Sequence, residues 1–338
     1  MSIADLRTLR AGLAYAQSLL HYAVDGLPRP FSAAFNVTDR CNLSCEYCNF
    51  NSFVGPELTA GQAGQLYDRL WAMGVRRLGL VGGEPLMRKD IGDLVRLARL
   101  RGFYLSINTN LTLYRQRPDV LDDADLIFTS LDGPRAMHER NRGARSYDGV
   151  VEAIADLRAR GKSVVAICVV RSADMEQVRS LLAQARELGI RMHFQPQCLE
   201  TPIARGELPE EATQQSLQQF WRGLADIKAS GERALASSWQ YLHAQAQWPD
   251  YRRPAVADPM QRCAAGRGFI FVDPQGYGYP CAYLRDRTPS LNLLRHDWAY
   301  SWHGETPCTS CNVGPMLEFN LLYRHPLRAS LNALRGYA

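Results

Sequence analysis

Six short apolar runs, at 32–37, 77–81, 104–108, 126–131, 163–170 and 191–195, are rich in branched and aromatic residues and read as strands. Stretches with helical spacing of apolar residues lie between them, near 59–73, 89–101, 147–160 and 174–188, with a weaker one before Asp125. Repeated strand–helix units of this length predict a parallel sheet covered by helices, with chemistry at the C-terminal ends of its strands. Residues 200–255 read as helical, carry Trp221, Trp239 and Trp248, and are expected to pack over those strand ends. Both chain ends are amphipathic and basic. Ile3, Leu6, Leu9, Leu13, Leu20 and Val24 share one face of the first, and Leu327, Leu331 and Leu334 line the second beside Arg324, Arg328 and Arg335. Each is expected to dock on the sheet, with peripheral contact to a membrane surface as the alternative.

Composition narrows the class. With 46% hydrophobic and 22% charged residues among 338, the chain suits a large domain plus a smaller one with a well-buried core. The formal charge of +5, without any lysine or arginine run, excludes a nucleic-acid-binding surface. Nine cysteines without a secretory signal point to metal ligation in a reducing compartment, and the expected localisation is cytoplasmic. The longest apolar run, Val164 to Val170, is far too short to span a bilayer.

The cysteines carry the chemistry. Cys41-Asn-Leu-Ser-Cys45-Glu-Tyr-Cys48 puts three thiols on one short loop after the first strand, which leaves a fourth coordination position open on a shared metal centre. By spacing alone a zinc knuckle fits as well. One strand later comes Leu80-Val-Gly-Gly-Glu-Pro85. Together these two segments resemble the radical S-adenosylmethionine (SAM) superfamily. That resemblance implies a partial (β/α)6 TIM-like barrel, an α/β fold. It also implies a [4Fe–4S] cluster on Cys41, Cys45 and Cys48, chelated by the amino and carboxylate groups of SAM. Within it, Gly82 and Gly83 would let the backbone approach the methionyl amino group, with Glu84 beside them. Tyr47 would lie against the adenine.

Further strand ends match. Asn108-Thr-Asn110 closes the third strand, and Thr129-Ser-Leu-Asp-Gly-Pro134 closes the fourth, followed by His138 and Arg142-Gly143. This is similar to the branch of the superfamily with auxiliary-cluster domains. By the resemblance, Asn108 and Ser130 contact the cofactor and Arg142 reaches its carboxylate, which a planar guanidinium fork suits. Of the remaining thiols, Cys168 sits in an apolar strand as a core residue. Cys198, just after the sixth strand, is a candidate hydrogen-atom donor to a substrate radical, with a half-buried structural thiol as the plain alternative.

Near the C-terminus Cys263 and Cys281 flank a predicted hairpin, Phe269–Asp273 and Tyr277–Tyr279 with a turn at Pro274–Gly276, and Cys308-Thr-Ser-Cys311 follows. A zinc ribbon has this pattern too. In its order the set resembles the twitch domain, a shortened relative of the SPASM domain, which implies a second, fully ligated [4Fe–4S] cluster. The expected organisation is an amphipathic helix at 1–30, the barrel at 31–199, a helical linker at 200–255 and a small C-terminal twitch-type β-hairpin and helix domain at 256–338. The expected activity is reductive cleavage of SAM and hydrogen abstraction from a small-molecule substrate, ending in oxidation as in the twitch-bearing aminocyclitol dehydrogenases. Flavodoxin or ferredoxin is the expected reductant. Epimerisation, and modification of a lipid, isoprenoid or ribosomal peptide, are the alternatives; the short stretch before Ser32 is too small for a leader-peptide module and weighs against a peptide. The non-enzymatic alternative is a zinc-binding interaction protein.

Overall fold

The computed structural model describes residues 29–53, 55–199, 203–253, 255–256, 263–298, 308 and 310–324, with isolated positions 9, 13 and 17. The two amphipathic ends fall largely outside the described residues. Leu9 and Leu13 of the first are helical and exposed.

Strands β1 (Ser32–Thr38), β2 (Arg77–Gly82), β3 (Tyr104–Asn108), β4 (Leu126–Ser130), β5 (Val164–Val170) and β6 (Arg191–Pro196) lie side by side in chain order, all parallel. Helices α1 (Ala60–Ala72), α2 (Ile91–Leu100), α3 (Arg135–Arg142), α4 (Tyr147–Ala159) and α5 (Met175–Glu187) make the crossovers. Each main helix turns a short apolar stripe inward, such as Leu66, Tyr67 and Leu70 on α1 and Ile91, Leu94, Val95 and Ala98 on α2. These stripes meet Phe35, Leu78, Leu80, Leu105 and Ile107 in one continuous core. The weak helix expected before Asp125 is instead two 3-10 turns, Tyr114–Gln116 and Pro118–Leu121. Pro118 explains this, because the residue before a proline is driven out of the α region, and Arg117 lies outside it at φ −149° and ψ 54°.

The linker departs from expectation more strongly. Helices α6 (Gln214–Ala229) and α7 (Trp239–Ala246) pack on one another, and neither lines the cavity at the strand ends. The segment joining them runs along the free edge of β6, where the Met192 N–H donates to the Ala234 carbonyl and the Ala236 N–H to the Met192 carbonyl, both at 2.7 Å. Trp221 and Trp248 are buried in the core, whereas Trp239 is exposed and stacked on His243. Burial of apolar faces against an open sheet edge accounts for that position. Among the described residues of the linker, the stretch 203–206 lies along the loop that follows β1.

The expected hairpin forms, as β8 (Phe269–Val272) and β9 (Tyr277–Tyr279), with Gly276 at φ +88° in its turn. It extends the barrel sheet: β8 pairs in parallel with β1, so Val272 stands opposite Phe35, and β10 (Leu291–Asn292) continues beyond β9. A small separate ladder joins β7 (Ala255–Val256) to β11 (Ser310–Cys311), and α8 (Gly314–Arg324) follows, packing on α7 and β6. The hairpin is therefore fixed to one edge of the partial barrel and α8 to the other. A buried bidentate ion pair locks the hairpin side in place, with Arg285 on Asp39 at 2.6 and 2.9 Å and the guanidinium 4.4 Å above the Phe53 ring.

Arg285→Met is expected to lower unfolding stability by about 3–5 kcal/mol, because it strands a buried carboxylate. A urea-unfolding midpoint measured against wild type checks this.

Candidate functional site

The loop after β1 is held from every side. It docks on the end of β2, where the Gly83 N–H donates to the Thr38 carbonyl and the Glu84 N–H to the Arg40 carbonyl, both at 2.8 Å. A β-carbon on Gly82 would stand 2.5 Å from the Thr38 oxygen, and one on Gly83 2.4 Å from the Arg40 oxygen. The two glycines are thus demanded by the protein's own loop, a reason the sequence reading did not contain. Glu84 is fully buried and braces the next loop: its carboxylate accepts from Leu86 N at 2.9 Å, Thr109 Oγ1 at 2.7 Å and Asn110 N at 2.6 Å. All its described bonds are internal. Burial outweighs these donors and pushes its pKa up to about 7.

On the other side the segment 203–206 runs antiparallel to the loop. Asn49 N donates to the Ile203 carbonyl at 2.9 Å, Ala204 bridges Cys48, and Arg205 spreads its guanidinium over the carbonyls of Ser44 (2.9 Å) and Cys45 (2.8 and 3.0 Å). Gly206, at φ +73°, passes close to the Glu46 carbonyl. Sequence reasoning missed Arg205, since nothing around it carries a pattern.

Within this frame Cys45 is buried and Cys41 and Cys48 are half-buried. Burial raises the thiol pKa of Cys41, and that of Cys45 to about 11, with Cys48 disfavouring ionisation of both and Cys41 that of Cys45. The second set behaves alike. Burial and mutual repulsion raise Cys281, Cys308 and Cys311, with Cys308 reaching about 11, and Cys263 contributes to all three. Among the described residues no three His, Cys, Asp or Glu groups stand at the spacing of a single metal ion. The fit to an iron–sulfur cluster rests on donor chemistry. Each set gathers soft thiol donors in a largely buried place, the donor chemistry that suits iron, and loading must displace thiol protons. Beside Cys311, the fully buried amide of Asn312 has no partner for either polar atom among the described residues.

Asp132 organises the far wall. It sits in the Ser-Leu-Asp-Gly-Pro stretch but was assigned no role from sequence. It accepts from Tyr47 Oη at 2.6 Å, from Arg142 Nε and Nη2 at 2.8 and 3.2 Å, and from Val169 N at 3.2 Å. Arg142, expected to reach a cofactor carboxylate, is therefore held on a buried protein carboxylate, and the Tyr47 hydroxyl is engaged there too. Ser130 and Asn108 stand half-buried at the ends of β4 and β3. Cys168 is buried, its thiol 3.6 Å from the Asp132 carbonyl, as expected of a core residue. Tyr47, Cys48, Val169, Gln195, Cys198 and Tyr283 line a cavity of about 140 Å³. Cys198 thus does face the barrel mouth, beside Tyr283, and burial raises its thiol to about 11. It also packs against the second cysteine set.

A parallel partial barrel with an open-coordination thiol loop at its mouth is the architecture of an enzyme that does chemistry on a bound cluster. Residues 35–191 match the Radical SAM superfamily. Mycofactocin maturase MftC of Mycobacterium ulcerans is 30% identical over 284 residues, which cover 80% of this chain and 73% of that protein. PqqA peptide cyclase of Ruegeria pomeroyi is 26% identical, with 80% and 72% covered. Among solved structures, Streptococcus suis SuiB bound to S-adenosylmethionine has a TM-score of 0.69 at 17% identity, covering 87% of this chain and 70% of that one. The chain belongs to the radical SAM superfamily and carries an auxiliary-cluster domain. It is a radical SAM enzyme whose cofactors are [4Fe–4S] iron–sulfur clusters and SAM. Among the described residues no helix is long and apolar enough to cross a membrane.

Arg205→Ala leaves four loop hydrogen bonds unmade and is expected to lower iron retained per chain after anaerobic reconstitution and desalting, read by iron assay. A carboxyl whose folded pKa is raised binds extra protons when folded, so Glu84 makes stability fall as pH rises from 4.5 to about 7. Glu84→Gln is expected to remove about 1–3 kcal/mol of that fall, measured by urea unfolding at pH 5 and pH 8.

Proposed function

We propose that this enzyme is an oxidoreductase, taking two electrons from its substrate, the first as a hydrogen atom and the second into the auxiliary site. When bound at Cys41, Cys45 and Cys48, the cluster and SAM supply the 5′-deoxyadenosyl radical that abstracts hydrogen throughout the family. The residues around them bind, orient and exclude water. We assign Tyr47, on the loop that carries the three cysteines, to the adenine, and the cavity beside it to the substrate. The ends of β2, β3 and β4, with Gly82, Gly83, Glu84, Asn108 and Ser130, frame the remainder of the cofactor. Glu84 does so indirectly, by holding the loop. Arg142 supplies positive charge at that wall while its partner Asp132 keeps it aimed.

The observation that carries the oxidative reading is the placement of the second cysteine set. Cys263, Cys281 and Cys311 cluster with Cys198 and Tyr283, and those two line the cavity that Cys48 also lines. A cluster held by Cys263, Cys281, Cys308 and Cys311 would supply an acceptor for one electron from a substrate radical formed there, whose proton would leave to solvent. The product is two electrons more oxidised than the substrate, and the hydrogen atom leaves as 5′-deoxyadenosine. Cys198 returning a hydrogen atom instead would give epimerisation.

For the substrate, the likeness to PqqA peptide cyclase and to SuiB solved with its precursor peptide SuiA favours a peptide. A small molecule is favoured by the 23% identity over 275 residues to the AdoMet-dependent heme synthase of Methanosarcina barkeri. A low-potential flavodoxin or ferredoxin in a reducing cytoplasm is the reductant this chemistry calls for.

Anaerobically reconstituted wild type is expected to hold about eight irons and the Cys41/Cys45/Cys48→Ala triple variant about four, with 5′-deoxyadenosine formed under reduction by wild type only. Zinc in place of iron, or a fully loaded protein that makes no deoxyadenosine, overturns this function.

A further inference from the structure

We propose that Asn320 sets the reduction potential of the auxiliary site through an amide hydrogen bond to the sulfur of Cys263, an inference that rests on reading Cys263, Cys281, Cys308 and Cys311 as ligands of one cluster. Asn320 lies on α8 and is fully buried. Its Oδ1 accepts the backbone N–H of Ala264 at 2.8 Å. That bond fixes which end of the amide is which, because the oxygen must face the N–H and the nitrogen must face the other way. The nitrogen meets Cys263 Sγ at 3.6 Å, and the Ala265 N–H points at the same sulfur from 3.5 Å. Donors to Cys281 and Cys311 are backbone groups, of Tyr283, Leu284 and Val313. Asn320 is a side chain, so it can be changed without altering a loop.

Reducing a cluster adds negative charge that is shared with its cysteine sulfurs. A donor aimed at a sulfur stabilises the reduced form more than the oxidised one and so raises the potential. Burial strengthens the effect, since no water competes for the sulfur. A raised potential is what an acceptor of the substrate's second electron requires. The same amide also ties α8, on the β6 edge, to the Cys263–Ala265 backbone, which leads into the hairpin on the β1 edge. A bracing role alone would predict loss of structure without a change of potential.

Two variants separate the roles. Asn320→Leu removes both bonds, whereas Asn320→Asp keeps an oxygen for the Ala264 N–H and puts a carboxyl oxygen where the donor stood. Each is made in the full chain carrying the Cys41/Cys45/Cys48→Ala changes, so that only the auxiliary site titrates, and is followed by electron paramagnetic resonance in a redox titration. At the potential that half-reduces the parent, both are expected to show a reduced-to-oxidised ratio about tenfold smaller, a downward shift of about 59 mV for one electron, and Asp at least as large a shift as Leu. An iron-loaded site with unchanged midpoint in both variants overturns the inference, as does loss of iron from both while thermal unfolding is unchanged. A parent that binds no iron overturns the ligand reading beneath it instead, so the two failures are told apart.

Discussion

The buried ion pair between Asp39 and Arg285 is the constraint on which the rest of this architecture depends. Two charges taken out of water cost several kcal/mol each, and they are tolerated only where geometry and further bonds satisfy both partners. Here the fork is bidentate, Asn36 Nδ2 donates to the same carboxylate at 2.6 Å, and the Phe53 ring lies under the guanidinium. Asp39 stands two residues before Cys41, and Arg285 four residues after Cys281. One interaction therefore fixes the first cysteine loop relative to the second cysteine set, and neither can shift without exposing an unpaired charge.

The second set also spans the opening of the barrel. Cys263 and Cys281 flank a strand paired with β1, while Cys311 leads into the helix packed on β6. The sulfurs that we assign to one cluster are thereby drawn from both free edges of a six-stranded sheet. A partial barrel needs some such closure, since unpaired edges and an open core are otherwise left to solvent. The hairpin answers the edge of β1, and the linker answers that of β6.

At the mouth, close packing and electrostatics divide the work. Gly82 and Gly83 let two backbones meet at a separation no side chain would permit. Asp132 gathers Tyr47, Arg142 and the β5 backbone into one buried network. Arg205 adds a fixed cation against the cluster loop. Burial disfavours ionisation of Cys41 and Cys45, so binding a metal centre there must displace their protons.

Local periodicity determined much of this protein. Strand and helix signals a few residues long placed six parallel strands and their main helices within a residue or two, because each element is set by its own apolar spacing. Cysteine spacing and Gly-Gly-Glu-Pro marked the chemistry for the same reason: ligands on one short loop converge whatever the remainder of the chain does. Tertiary structure alone decided which groups hold those motifs. Asp39 and Arg285 lie 246 positions apart, and Arg205 is 160 from the carbonyl of Cys45. A single charged residue has no period, so only folding reveals its partner. The same holds for the hairpin joining β1 in parallel, for the linker lying on β6 and not over the mouth, and for Glu84 turning inward to brace a loop. These outcomes follow from burying apolar edges and pairing buried charge across the whole chain, terms that no short window of sequence contains.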